Sequence, residues 1–255
     1  MQKKRIIVCL DVKDSRTTKG VKFKNNIDIG EPIQMAEEYY KQGVDELVFY
    51  DIMASAHGRG PVLDLISKVA SKIFIPFCVG GGLATIEDIK ATIDAGAQKV
   101  SLNSQAVKNP NLISEGARIF GEKCIALGID AAKDTSMPSG YHIFINGGRI
   151  ATGLDAKEWV NEAVERGAGE IVLNSIDADG TKSGYDIDLT RMIARAVTIP
   201  VVASGGGGTI KHIADVLSQP SGADAALVAS MVHSGEYTVQ QIKQGLTKMG
   251  ILVHL

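Results

Sequence analysis

Cysteine, tryptophan and long apolar runs are all scarce in this 255-residue chain, which has three Cys and one Trp. Cys9, Cys78 and Cys124 are odd in number, sit in apolar segments and have no metal-ligand spacing. That argues against a disulfide framework and predicts small buried thiols in a reducing compartment, hence a cytoplasmic protein. The longest strictly apolar run near the N-terminus, Ile6–Leu10, is too short for a membrane span or the core of a secretory signal. An excess of one charge is also lacking: 27 Lys and Arg face 29 Asp and Glu, for a net charge of −2. The whole chain therefore offers no electrostatic footprint for nucleic acid or an anionic membrane. The basic stretch Lys13–Gly30 has no RNA-binding motif or interleaved aromatics, so it reads as a solvated loop or as a lid that attracts an anionic substrate. The histidines (His57, His142, His212, His233, His254) are scattered, without metal spacing or a Ser-His-Asp arrangement, so neither a metal nor a cofactor is expected.

What the chain does have is core. Hydrophobic residues make up 45% and charged residues 22%, which excludes disorder and collagen-like composition. Eight short Val-, Ile- and Leu-rich runs recur: Arg5–Leu10, Glu46–Tyr50, Ile75–Val79, Lys99–Leu102, Cys124–Ile129, Glu170–Leu173, Ile199–Ala203 and Ala225–Ala229. They read as buried parallel strands. Amphipathic stretches such as Pro32–Lys41, Val62–Lys72, Thr85–Ala95, Lys157–Arg166 and Lys211–Leu217 lie between them. Eight strand–helix units predict a (β/α)8 barrel, the TIM-barrel class. A doubly wound open sheet would need a glycine-rich phosphate loop after the first strand, and none is there.

An internal repeat supports the barrel. Gly43-Val-Asp-Glu-Leu-Val and Gly167-Ala-Gly-Glu-Ile-Val match at an offset of 124 residues, as do Ile75-Pro76 and Ile199-Pro200. Gly80–Gly82 and Gly205–Gly208, Gly96-Ala97 and Gly222-Ala223, and Asp11 and Asp130 follow in the same order. The expectation is one domain over residues 1–255, made of pseudo-symmetric half-barrels at roughly 1–122 and 123–255. Tyr141–Ile145 and Arg149–Thr152, joined by Asn146-Gly147-Gly148, predict a hairpin inserted after the fifth strand.

Barrel chemistry sits where strands end, which singles out three groups. Gly81 and Gly82, and Ser204, Gly206 and Gly207, each run into a helix start whose free N–H groups suit an anion. With Asn103 and Ser104 in one half and Ala229 and Ser230 in the other, they predict a ligand with two phosphates, one held by each half. The loop Asp177–Thr181, with Asp179 and Thr181, lies at the same face. Asp11 and Asp130 end opposite strands and share the inward parity of Arg5, Ile7 and Cys9 and of Ala126 and Gly128. They can therefore act as acid and base on either side of a substrate, or simply cap their loops. Arg5, Glu46, Lys99 and Glu170 begin four strands at the opposite end and read first as a stabilising ring.

Several segments resemble a known family: Lys4–Asp14, Asp45–Ile52, Pro76–Gly82, Arg166–Ile171, Asp177–Asp186 and Ala203–Gly207. They are similar to the cyclase subunit of imidazole glycerol phosphate synthase, over essentially the whole chain. The resemblance implies a lyase of histidine biosynthesis with no cofactor. Its reactants are ammonia and a bisphosphorylated ribulosyl aminoimidazole carboxamide ribonucleotide. Its products are imidazole glycerol phosphate and aminoimidazole carboxamide ribonucleotide. Asp11 and Asp130 match the family's catalytic aspartates, and Lys19 matches its loop lysine. Ammonia is expected from a glutaminase subunit in a heterodimer, entering through a gate that maps onto Arg5, Glu46, Lys99 and Glu170. The chain departs from the pattern at Ser15, at Gln98, where the family often has an acid that engages the glutaminase, and at the extra Gly208. The alternatives are the related phosphoribosyl isomerase and a synthase subunit serving an amidotransferase outside histidine biosynthesis.

Overall fold

The computed structural model describes residues 3–14, 16–21, 24–54, 60–218 and 222–255, with backbone alone for 19–21 and 24–27. Eight strands form the barrel: β1 (Arg5–Lys13), β4 (Glu46–Asp51), β5 (Phe77–Gly80), β6 (Lys99–Leu102), β7 (Ile125–Lys133), β10 (Glu170–Ser175), β11 (Val201–Ser204) and β12 (Ala225–Val228). Each pairs in parallel with the next, and β12 closes onto β1 with Arg5 opposite Ala225. The expected (β/α)8 architecture is what forms. β5 and β11 each start two residues later than the apolar runs suggest, because Pro76 and Pro200 have no N–H to give the ladder. Their carbonyls still accept from Leu47 and Ile171.

Alternation sorts the side chains. On β1, Ile6, Val8 and Leu10 face the surrounding helices, while Ile7 and Cys9 join Val48, Cys78, Ala126, Val172, Val202, Ala225 and Leu227 inside the barrel. The interior is thus a narrow apolar plug of mostly small or β-branched residues. Around it lie α1 (Pro32–Lys41), α2 (Leu63–Ala70), α3 (Ile86–Asp94), α4 (Ser104–Lys108), α5 (Asn111–Phe120), α6 (Ala156–Glu165), α7 (Ile187–Ala196), α8 (Ile210–Ser218), α9 (Ser230–His233) and α10 (Val239–Lys248).

Two antiparallel excursions decorate the C-terminal face. The expected hairpin forms from β8 (Tyr141–Ile145) and β9 (Ile150–Asp155), with β8 paired to the end of β7. Asn146, Gly147 and Gly148 turn it at φ of 54°, 67° and 73°. The segment after β1, expected as a basic loop or lid, instead contains β2 (Arg16–Val21) and β3 (Lys24–Gly30). Lysines and asparagines masked this strand pair in the sequence. Thr17 and Thr18, on opposite faces of β2, are both buried and β-branched, and Arg16 bridges Asp28 and Glu31.

Candidate active site

A cavity of about 210 Å³ opens where the barrel strands end. Asp11 and Asp130 both line it, from opposite sides of the barrel. On β1 the inward face runs Arg5, Ile7, Cys9, Asp11 from floor to cavity, and the Cys9 thiol donates to Asp11 Oδ1 at 3.5 Å. Asp130 is 6% exposed, so its charge must be compensated by protein groups. Asn103, just past β6, donates to Oδ2 at 3.0 Å, and Asn174 on β10 donates to Oδ1 at 3.0 Å. Burial raises the Asp130 pKa. The two amides pull against that rise without cancelling it, and Asp179 and Asp11 add to it. A carboxyl held partly toward its neutral form is suited to exchanging protons with a substrate.

Both glycine turns lie against the cavity. Gly81 and Gly82 take φ of 95° and 75°, and Gly205 and Gly206 take 87° and 97°. Their necessity is structural as well as chemical. A Cβ at Gly81 would sit 2.3 Å from the Asp51 carbonyl oxygen, and one at Gly206 would sit 2.0 Å from that of Gly184. The helices beyond are capped at matching places. Thr85 and Asp88 form a reciprocal capping box on α3, with Asp88 also accepting from Ala84 N at 2.9 Å. In the second half Thr209 accepts from His212 N, and His212 Nδ1 accepts from Gly208 N at 3.3 Å. An imidazole thus occupies the place of the first half's carboxylate.

Most of the predicted phosphate-site residues converge. Asn103 and Ser104 line the cavity beside Gly81 and Gly82. Ser204, Gly206, Gly207, Ala229 and Ser230 line it in the other half, and Asp179 reaches it from the loop after β10. The Asn103 side chain is committed to Asp130. Thr181 does not line the cavity. Its hydroxyl donates to Ala178 O and accepts from Ser183 N, folding the loop on itself. The Lys19 side chain lies outside the described residues. Among the lining residues that were not anticipated are Asn174, Asn146 and Arg149. Asn174 is a polar residue ending an apolar strand run, a signal visible in the sequence. The other two sit on the hairpin turn, which pattern alone does not place over the barrel mouth.

At the floor, Arg5, Glu46, Lys99 and Glu170 close into a ring. Arg5 donates to Glu46 at 2.7 Å and to Glu170 at 2.5 Å, and Lys99 donates to Glu46 at 2.8 Å and to Glu170 at 2.6 Å. The carboxylates lie deepest, with side chains 2% and 7% exposed. Burial pushes the Glu46 pKa up; Lys99 opposes this and Glu170 reinforces it. Burial works to lower the pKa of Arg5 and Lys99, but the two carboxylates outweigh it and raise both. Beside the ring, Gln98 accepts from Phe77 N at 2.8 Å and donates to Gly96 O at 3.0 Å. Its amide ties off the start of β5.

Among the described residues, no group of three His, Cys, Asp or Glu side chains could hold a metal, and no helix is long and apolar enough to cross a membrane. A closed parallel barrel with a polar cavity at its C-terminal strand ends defines a (β/α)8-barrel enzyme scaffold. Residues 5–238 match the family described as histidine biosynthesis protein. The chain is 59% identical to the imidazole glycerol phosphate synthase subunit HisF of Syntrophobacter fumaroxidans, covering 99% of this chain and 98% of that one. Identity to the subunits of the same name from Desulforapulum autotrophicum and Desulfatibacillum aliphaticivorans is 58% and 56%, with the same coverage. The chain belongs to the HisF family, the cyclase subunits of imidazole glycerol phosphate synthase, and is an enzyme of histidine biosynthesis.

Proposed function

We propose that the chain is the ring-closing lyase of that synthase. It takes ammonia and the bisphosphorylated ribulosyl aminoimidazole carboxamide ribonucleotide, and it releases imidazole glycerol phosphate and aminoimidazole carboxamide ribonucleotide. The observation that carries this reading is Asp130, buried, held by two amides and raised in pKa, in a cavity flanked by two matching glycine-opened turns. A substrate with a phosphate at each end spans the barrel mouth between the turns of Gly82 and Gly206. Its reacting carbons then lie between Asp11 and Asp130, which exchange protons on opposite sides of it. Asn103 and Asn174 fix the Asp130 carboxylate so that little reorganisation is needed at the reacting centre.

Ammonia enters from the floor. Two cations and two carboxylates make a ring without net charge, and a small neutral molecule pays far less desolvation than hydrated ammonium in crossing it. A glutaminase subunit docked at this face, forming a heterodimer, supplies the ammonia. Two assays test the reading. Ammonium salt plus the ribulosyl substrate should give turnover without a partner. Mixing with the glutaminase should give glutamine hydrolysis that rises when the substrate is added. Conversion of the isomerase's substrate in place of the ribulosyl compound would contradict the reading.

A further inference from the structure

One backbone edge of β1 changes partner below the cavity mouth. β12 pairs along it as far as Val8 opposite Val228, and β2 takes it over from Asp11 opposite Thr18, while β4 holds the other edge through to Val12. Cys9 and Leu10 lie in the gap between them. Arg5 donates its N–H across this edge to Asp224 O, so the two-residue period of the strand points the Cys9 carbonyl the same way. Among the described residues no strand covers that carbonyl on this edge. His233, the last residue of α9, takes the strand's place, and its Nε2 donates to Cys9 O at 2.9 Å. A carbonyl only accepts, so Nε2 carries the ring proton, and in the neutral ring Nδ1 accepts from the Tyr39 hydroxyl at 2.7 Å. Tyr39 is buried on α1; burial, and then Glu38, raises its pKa, which keeps the phenol protonated as the donor.

One imidazole thus joins α9, β1 and α1 at the level of the cavity, which Cys9 itself lines. α9 begins at Ser230, which lines the cavity in the second half, and Cys9 lies two residues before Asp11, to whose Oδ1 its thiol donates. In the first half the matching place, three residues into α4, is held by Val107, whose side chain has no donor to give β7. There Asp130 is aimed by the amides of Asn103 and Asn174 instead. We infer that His233 is a positioning residue for Asp11: by bracing the Cys9 carbonyl from α9 and α1, it fixes the strand end that presents Asp11 in register with Ser230, and so with the phosphate held in the second half. The role of Asp11 rests on the cyclase reading proposed above; the brace itself does not.

A double-mutant cycle on ammonium-dependent turnover tests this. His233→Ala should lower kcat by roughly ten- to a hundredfold, the cost of a misplacement of about 1 Å at the reacting centre. The KM for the ribulosyl substrate should change little, because both glycine turns are intact. In an Asp11→Asn background no proton-transferring group is left there to align, so the same change should lower the residual kcat by less than about threefold. His233→Gln, whose amide nitrogen reaches the place of Nε2 and still donates to Cys9 O, should restore most of the rate. His233→Asn is too short to reach that carbonyl and should resemble His233→Ala, whose place it takes in the cycle if the alanine variant does not fold. Equal fold-losses with and without Asp11 would overturn the inference and leave the cyclase reading standing, since a merely structural role costs the same in both backgrounds. A wild-type kcat in His233→Ala would overturn it as well. Wild type that does not turn over the ribulosyl substrate would overturn both.

Discussion

Asn103 donates its side-chain amide to Oδ2 of Asp130 at 3.0 Å, joining the ends of two neighbouring barrel strands at the cavity wall. Asn174 mirrors it on Oδ1 from the other side. The carboxylate is thereby aimed, and part of the cost of burying its charge is offset.

The first prediction concerns that pairing. A hydrogen bond to a charged acceptor contributes about 1.5–3 kcal/mol, so Asn174→Ala should raise the Asp130 pKa by about one to two units. Its ionisation in the pH profile of ammonium-dependent turnover should move up by that amount. Stability carries the matching sign. A carboxyl whose folded pKa lies above its unfolded value costs stability as pH rises through that range. The variant should therefore match wild type below the wild-type folded pKa of Asp130 and lose stability relative to it as pH rises from there to the variant's own. An unmoved profile would mean that Asp130 is not the titrating group.

Asp11→Asn and Asp130→Asn should each reduce ammonium-dependent turnover by roughly 10²–10⁴-fold, the range for a positioned acid or base. Substrate binding, followed by titration, should change little. Asp130→Asn is expected to be at least as severe as Asp11→Asn. Turnover within a few-fold of wild type in both variants would remove the acid–base assignment.

The glycine turns make separate predictions for binding and stability. In crystals grown with phosphate, one ion should sit near Gly82 and Ser104 and another near Gly206 and Ser230. Gly206→Ala should lower stability by on the order of 1–3 kcal/mol, from the positive φ and the clash with Gly184 O, as read by denaturant unfolding. A neutral Gly206→Ala would show that the turn has room the structure does not give it.

Much of this arrangement is legible in the sequence because its determinants are local. The alternation on β1 and β7 places Asp11 and Asp130 inward, and the two halves of the sequence repeat their glycines at nearly constant spacing. The strand pair β2–β3 is not legible. Its lysines and asparagines carry no alternation, and it is held by pairing to β1 and by Arg16 reaching Asp28. Gln98 reads as a docking position by resemblance, yet its hydrogen bond to Phe77 N spans two strands and follows only from the barrel's register. Asn174 announces itself as a polar strand end, but its partner is 44 residues away, and the register between the adjacent strands β7 and β10 brings the two together. Asn146 needs the hairpin's tilt over the mouth, which no periodicity encodes.

The floor ring predicts that two assays will diverge. Lys99→Ala removes one of the two cations that each buried carboxylate shares. Glu46 should then become harder to ionise, so the loss of stability should be greater at neutral pH than near pH 4, where Glu46 can protonate. Glutamine-dependent turnover should fall or leak ammonia to solvent, whereas turnover with ammonium salt, supplied from the open mouth, should change much less. Equal losses in both assays would reduce the ring to a structural role.

The central claim is that this chain inserts ammonia nitrogen while closing the imidazole ring. It is tested most directly by incubating the purified chain, without any glutaminase, with the ribulosyl substrate and ¹⁵N-labelled ammonium, and weighing both products. The account predicts one ¹⁵N in imidazole glycerol phosphate and none in aminoimidazole carboxamide ribonucleotide. Substrate recovered intact, or converted without uptake of label, would contradict it.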